Sequence, residues 1–369
     1  LVIRELKLDR FRNLLNGTLE FCPTGNLVIG DNGQGKTNLL EAIYYLTLLK
    51  SFRSANDSEC IRFGESYFNV RGGWEDDDGR VESASVGYDG RRKKVVISGE
   101  EKKRLSEAFG IFKSVLVTPD HIAIVQEGPA ARRRYLDIVL SILSPAYLER
   151  FKRYRRALAS RNTLLREHSA PAAAIEPWER EMAQSGAFLV ERRREFVEKI
   201  APEYEKLYSR LSPGESSTIR YISDLLQDDN GRGPESTRIT QRFLDRLNQR
   251  RSQERERGIT LSGPQMDELL FEHGGRPLRN YGSQGQQRTA VICLKMAEAA
   301  LIRREQDVKP VLLLDDIFSE LDPVRSGFLL EELVERHQSF ITAPRSEAIF
   351  ARLGHLPALK ISAGAITKF

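Results

Sequence analysis

Cysteine is scarce and poorly placed for chemistry: Cys22, Cys60 and Cys293 are odd in number and far apart. That spacing argues against a disulfide or zinc framework and for a reduced, cytoplasmic setting. The five histidines never fall in H-E-x-x-H or Cys/His spacing, so no metal site other than a nucleotide-bound cation is visible. No window holds eighteen apolar residues, which excludes a membrane-spanning helix from the expectation. The first residues, Leu1-Val-Ile-Arg-Glu-Leu-Lys-Leu8, carry charges and lack the apolar core of a signal peptide. They also lack an initiator Met, so the expectation is that the numbering omits a residue or more. There is no internal repeat and no low-complexity tract. The one acidic run, Glu75 to Asp78 before Gly79, sits between strand-like segments and reads as a solvated turn.

What the chain does have is a phosphate loop. Leu27-Val-Ile29 reads as the end of a buried strand, Gly30-Asp31-Asn32-Gly33-Gln34-Gly35-Lys36-Thr37 fits G-x-x-x-x-G-K-[ST], and Asn38 to Leu49 continues as an apolar helix. The glycines allow backbone N–H groups to close on a polyphosphate, and the helix N-terminus adds partial positive charge. Lys36 is expected on the β- and γ-phosphates of ATP, and the Thr37 hydroxyl on Mg²⁺. A second element comes late: Val311-Leu-Leu-Leu314 delivers Asp315 and Asp316 at a strand's carboxyl end, the edge that faces the nucleotide in such folds. Side chains alternate along a strand, so the two acids need not share a task. Asp315 is assigned to Mg²⁺ beside Thr37, and Asp316 to the water attacking the γ-phosphate.

At 369 residues the chain is long enough for two domains, or for one with a large insertion. Phe68–Arg71, Val81–Tyr88 and Lys94–Ile97 read as an antiparallel meander with a two-residue Asp89-Gly90 turn. From about 131 the pattern is helical for more than a hundred residues. Ser144-Pro145 opens one helix, Glu176-Pro177 a second that packs antiparallel to it, and Ser236 caps a third running to about Arg251. Gln227 to Pro234 reads as a linker. Between Ala131 and His168 ten Lys/Arg stand against three acids, among them Arg132, Arg133, Arg150, Lys152 and Arg153. Arg238, Arg242, Arg246 and Arg250 recur at i, i+4. Either patch suits the phosphates of double-stranded DNA, or is a solvated helix face. No base-reading motif accompanies them, so contact is expected to be backbone-directed and salt-sensitive.

The third chemical element is Ser283-Gln284-Gly285-Gln286-Gln287-Arg288-Thr289, a polar turn at the mouth of a helix and some twenty residues before the acidic strand. That order resembles the ATP-binding-cassette ATPases, whose signature loop reaches the γ-phosphate held by the opposite subunit of a dimer. Ser319-Glu-Leu-Asp322 is similar to the dimer-contact loop of that superfamily. The histidine often found after the last strand is not evident, and Thr342-Ala-Pro stands there.

A closer resemblance is to the RecF family of bacterial recombination-mediator ATPases. It is carried by residues 30–43, Leu8 with Phe11-Arg12-Asn13, Ser51-Phe-Arg53, Pro119-Asp120, Gly128-Pro129, Arg132-Arg133 to Asp137, 283–289 and 312–322. One departure is Gly263-Pro264-Gln265-Met266-Asp267, where the family usually has His-Arg after Gly-Pro. The resemblance implies an α/β fold: an ABC-ATPase, SMC-head-like lobe over 1–130 and 255–369 with an antiparallel β subdomain, and an inserted mainly helical lobe over 131–254. It also implies ATP and Mg²⁺ as cofactors and an ATP-dependent homodimer clamping double-stranded DNA near single-strand gaps. RecR, with RecO, is the implied partner in loading recombinase, and slow hydrolysis would release the clamp. Another SMC-like ATPase with a DNA-structural role stands as the alternative. A transporter-type cassette subunit fits poorly with the basic arm, a nuclease lacks an acidic metal cluster, and a small-molecule kinase has no use for Ser283 to Arg288.

Overall fold

The computed structural model describes residues 1–167, 170–226, 234–318, 321–331, 336–344, 353 and 356–369. The chain divides into two compact units, residues 1–121 with 292–369, and residues 122–291.

The first unit is built on two sheets. In one, Gly25–Ile29, Ser339–Ala343, Val311–Asp315 and Ser114–Val117 lie side by side and parallel, with Ala358–Ser362 and Ala365–Lys368 completing one edge. Ala358–Ser362 is also parallel to Gly25–Ile29, and every residue of the other four parallel strands is buried, as strands covered on both faces require. Their apolar runs are therefore continuous rather than alternating. Pairing of Val28 with Thr342 and of Asp315 with Thr342 brings the carboxyl ends of three strands to one edge. The helix Lys36–Leu48 starts from that edge.

The second sheet is antiparallel, ordered Gly17–Glu20, Val2–Asp9, Phe68–Glu75, Val81–Tyr88, Lys93–Ile97 and Glu100–Glu101. The expected meander is present, but the loop after Tyr88 is four residues, since Tyr88 pairs with Lys93. Asp89 Oδ1 accepts from the N–H groups of Arg91 at 2.8 Å and Arg92 at 2.6 Å, closing an Asx turn in place of the two-residue hairpin. The acidic run is a turn: Asp76 Oδ1 accepts from the N–H groups of Asp78 and Arg80. Gln338 bolts the two sheets together. Its Nε2 donates to the carbonyls of Ile3 at 2.9 Å and Cys22 at 2.8 Å, and its Oε1 accepts from the Ile3 N–H at 2.8 Å.

The second unit is mainly helical. Ser144 Oγ caps Pro145–Arg166 by accepting from the Tyr147 N–H at 3.2 Å, as the Ser-Pro pair predicts. The next helix differs from expectation: it starts at Ala172 and runs 40 residues to Leu211, straight through Pro177 and Pro202. Each interior proline costs about 3 kcal/mol. The buried stripe Ile175, Met182, Leu189, Phe196 and Ile200 offsets this, at roughly 1.5–3 kcal/mol per side chain. Arg150 over Phe188, Tyr154 against Gly186 and Arg161 to Glu179 show the pair to be antiparallel. Ser236 lies inside the helix Glu235–Arg257 and makes no cap; the preceding linker, Gln227 to Gly233, is outside the described residues. A small sheet, Arg276–Pro277, Glu268–His273 and Ser217–Ile222, completes this unit with the first turns of Gln284–Gln306.

The division differs from the expected insertion of 131–254, because buried polar ties hold 264–268 to the helices. Arg193 donates to Asp137 at 2.7 Å, to Asp267 at 3.0 Å and to the Pro264 carbonyl at 2.7 Å. Arg161 similarly joins Glu179, Glu254 and Thr260. Those ties are long-range in sequence, and composition gives no sign of them.

Candidate nucleotide site

The loop closes tightly because its glycines have no side chains. A Cβ on Gly30 would stand 2.4 Å from the Ile361 carbonyl oxygen. Gly35 has φ of 118°, in the left-handed region, and a Cβ there would meet Asn13 Oδ1 at 2.8 Å. Asp31, Asn32 and Gly33 are exposed and Gln34 is half-buried, with Gln34 Oε1 accepting from the Ala363 N–H. Lys36 Nζ donates to the carbonyls of Gly30 at 2.6 Å and Asp31 at 3.0 Å, so its charge is held inside the loop.

Thr37 and Asp315 meet across 278 positions of sequence. The Thr37 hydroxyl donates to Asp315 Oδ2 at 2.9 Å and lies 3.1 Å from Oδ1. Thr342 donates to Asp315 Oδ1 at 2.6 Å and accepts from the Asp316 N–H at 2.9 Å. Burial pushes the Asp315 carboxyl above the usual carboxylate range. The hydroxyls of Thr342 and Thr37 pull it partly back, and the Asp316 charge pushes it up again. A buried carboxylate beside a second one, facing a hydroxyl, is a hard-oxygen set suited to Mg²⁺. Asp316 has φ of 50°, unusual for a residue with a side chain, so the turn directly after the strand is strained at the candidate catalytic position.

Arg12, Asn13 and Arg53 surround the loop. Arg12 grips Glu41 with Nε and Nη2 at 2.9 and 2.7 Å, and the Ser51 hydroxyl donates to the same carboxylate at 2.5 Å. Asn13 Nδ2 donates to the Gln34 carbonyl at 3.2 Å, while its Oδ1 accepts from Asn38 at 2.7 Å. Arg53 donates to Asn38 Oδ1 at 2.7 Å. Arg12 thus holds the helix and Asn13 holds the loop. Sequence reasoning missed Glu41 and Thr342. The first is one acid in an apolar helix, the second a lone threonine at a strand end, and neither spacing signals a partner.

In the second unit, Ser283 and Gln286 form a reciprocal box: the Gln286 N–H donates to Ser283 Oγ at 3.2 Å, and the Ser283 N–H to Gln286 Oε1 at 2.9 Å. The helix begins at Gln284, so most of the expected loop, including Gly285, is its first turns. Of the Ser319-to-Asp322 segment, Ser319 and Glu320 lie outside the described residues. Asp322 caps Pro323–Leu329, accepting from the Arg325 N–H at 2.9 Å.

The basic residues divide by burial. Lys152, Arg153, Arg155 and Arg156 are exposed on Pro145–Arg166, whereas Arg150 is half-buried with its guanidinium over Phe188. Arg132 corrects the expectation of a free charge. Only 6% exposed, it donates to both oxygens of Glu268 and to the Glu127 carbonyl, so it offers a phosphate nothing in this structure. Arg133 donates to the Asp267 carbonyl, and Arg161 is interior. Arg238, Arg242 and Arg246 are half-buried on Glu235–Arg257, with Arg242 donating to the Leu225 carbonyl and Arg250 to that of Leu261. At the departure after Gly263-Pro264, Gln265 accepts from the Tyr154 hydroxyl and donates to the Ser262 carbonyl, while Met266 is exposed. Among the described residues no group of acids, histidines or cysteines could hold a metal by itself, and no helix is long and apolar enough to cross a membrane.

Residues 2–353 match the family model described as RecF/RecN/SMC N terminal domain. The chain is 37% identical over 374 residues to the "DNA replication and repair protein RecF" of Heliobacterium modesticaldum, covering 99% of each. It is 34% identical over 352 residues to the protein of that name from Bacillus subtilis, covering 94% of each. A solved structure described as "the recombination mediator protein RecF-ATPrS in RecFOR pathway" superposes with a TM-score of 0.92 at 33% identity, over 100% of this chain and 98% of the other. An SMC head bound to the C-terminal winged-helix domain of ScpA shares the fold at 15% identity, with a TM-score of 0.59 over 100% of this chain and 97% of the other.

Proposed function

The chain belongs to the RecF/RecN/SMC N-terminal domain family, within it to the RecF proteins, and from that membership we propose an ATP-binding ATPase of DNA replication and repair that acts as a nucleotide-switched clamp on double-stranded DNA. The observation that carries the reading is the contact of Thr37 with Asp315, beside the strained Asp316.

The loop Gly30 to Gly35 would take the phosphates of ATP, with Lys36 leaving its loop carbonyls for the β- and γ-phosphates. Thr37 and Asp315 would hold Mg²⁺, which when bound neutralises charge on those phosphates. Asp316 would orient the attacking water, and Ser283 to Gln286 would complete the site of a second copy of the chain. ATP would then close a homodimer on duplex DNA, and slow hydrolysis, stimulated by DNA, would reopen it, so that turnover sets timing rather than making product. Lys152, Arg153, Arg155 and Arg156 supply the exposed charge for phosphate contact, with Arg133, Arg150, Arg238, Arg242 and Arg246 as lesser candidates and Arg132 set aside. Action at single-strand gaps with RecR and RecO, promoting recombinase loading, is supported by the RecFOR pathway to which the solved relatives are assigned.

The test is duplex binding and dimerisation with and without ATP·Mg²⁺. Lys36→Met and Ser283→Arg should abolish both responses, and Asp316→Asn should hold the dimer on DNA. A natural chain that stays monomeric and binds duplex equally without ATP refutes the clamp.

A further inference from the structure

Two side chains tie the signature turn to its own unit: Gln287 donates to the Leu278, Arg279 and Gly282 carbonyls and accepts from Gln126, and Gln286 reaches the strands. Gln286 has a carboxamide with two N–H donors and one carbonyl acceptor, and all three are engaged. Its Oε1 accepts from the Ser283 N–H at 2.9 Å. Its Nε2 stands 3.1 Å from Glu215 Oε1 and 3.2 Å from His273 Nε2. A backbone N–H only donates and a carboxylate only accepts, so the orientation of the amide is fixed from both ends. His273 Nε2 must therefore be the acceptor. Nδ1 faces the Tyr208 hydroxyl oxygen 3.4 Å away.

We infer that Glu215 and His273 are positioning residues for the signature turn: through Gln286 they hold Ser283 in the geometry that completes the nucleotide site of a second copy. The inference rests on the signature reading given above. Glu215 sits between the end of the 40-residue helix at Leu211 and the strand Ser217–Ile222, while His273 ends the strand Glu268–His273, so the turn is registered to both. The amide cannot flip without losing Glu215 and the Ser283 N–H together, so the two contacts and the turn stand or fall as one.

The experiment compares ATP-driven dimerisation with binding of a fluorescent ATP analogue to the monomer. Glu215→Ala and His273→Ala should each weaken dimerisation about tenfold, the worth of one charge-assisted or well-satisfied hydrogen bond, with analogue binding unchanged, and Gln286→Ala, within the signature turn itself, should weaken dimerisation at least as much. Adding His273→Ala or Glu215→Ala to Gln286→Ala should produce no further loss, because both act through that amide. Glu215→Gln keeps an acceptor oxygen and should restore dimerisation. His273→Gln also keeps an acceptor oxygen and should dimerise. Fully additive losses, or single variants that dimerise normally, overturn the inference. Loss of analogue binding in Glu215→Ala, with no rescue by Glu215→Gln, marks a folding role and overturns it too. Ser283→Arg separates the two levels. If that variant dimerises like the natural chain, the signature reading itself fails; if it does not while Glu215→Ala and His273→Ala do, only the positioning role fails.

Discussion

Replacing Thr342 by Val removes one hydroxyl and keeps the shape, at a site with no exposure. Two groups are affected. The Asp316 N–H loses its acceptor at 2.9 Å, and Asp315 Oδ1 loses its donor at 2.6 Å while keeping Thr37. Stranding a buried backbone donor costs about 1–3 kcal/mol. At about 2–4 °C per kcal/mol for a unit of this size, the melting temperature should fall by roughly 2–12 °C. The pH dependence follows from the Asp315 carboxyl, which burial already holds above its ordinary 3.8. The folded state binds that proton more tightly than the unfolded chain does. The resulting stability is therefore fully present below the unfolded value and is lost as pH rises through the raised folded one. Thr342 pulls the carboxyl down, so valine lets it rise further and moves that loss to higher pH. Mg²⁺ requires the carboxylate, so Mg²⁺-dependent ATP affinity should fail first in mildly acidic buffer. Thermal melts across pH, with and without ATP·Mg²⁺, read both effects. If Thr342→Val melts like the natural chain and binds ATP·Mg²⁺ with the same pH profile, the role given to this hydroxyl is wrong.

Three further outcomes are expected. Gly35→Ala, at φ of 118° against Asn13, should fold with a penalty of about 1–3 kcal/mol and lose nucleotide binding, read by melting and by an ATP titration; normal ATP affinity would contradict the closed-loop geometry. Arg12→Ala leaves the fully buried Glu41 without its bidentate partner and should cost about 3–5 kcal/mol in a denaturant titration, with Arg12→Lys recovering only part. Lys152→Ala with Arg156→Ala should leave melting unchanged and flatten the salt dependence of duplex binding by about 0.9 for each phosphate no longer neutralised, whereas Arg132→Ala should lower the melting temperature; the reverse pattern would show the exposed face to be the wrong one.

Much of the site is local chemistry, and local chemistry is legible in sequence. The residues from Gly30 to Thr37 carry their geometry in adjacent positions, and Val311 to Asp316 announces a buried strand ending in acids. The phosphate loop, the acid pair, the meander and the Ser144-Pro145 helix start could therefore be read without coordinates. Tertiary structure decided what depends on partners far away in sequence. It brought Thr342 between Asp315 and Asp316, set Glu41 under Arg12, and carried the Ala172–Leu211 helix through two prolines on the strength of its buried stripe. It also divided the arginines: Arg132, Arg161 and Arg193 turn inward to buried or half-buried carboxylates, while Lys152, Arg153, Arg155 and Arg156 face solvent. A guanidinium reads the same in sequence whether it faces solvent or a buried acid. The desolvation cost and the partner that offsets it exist only once the chain is folded.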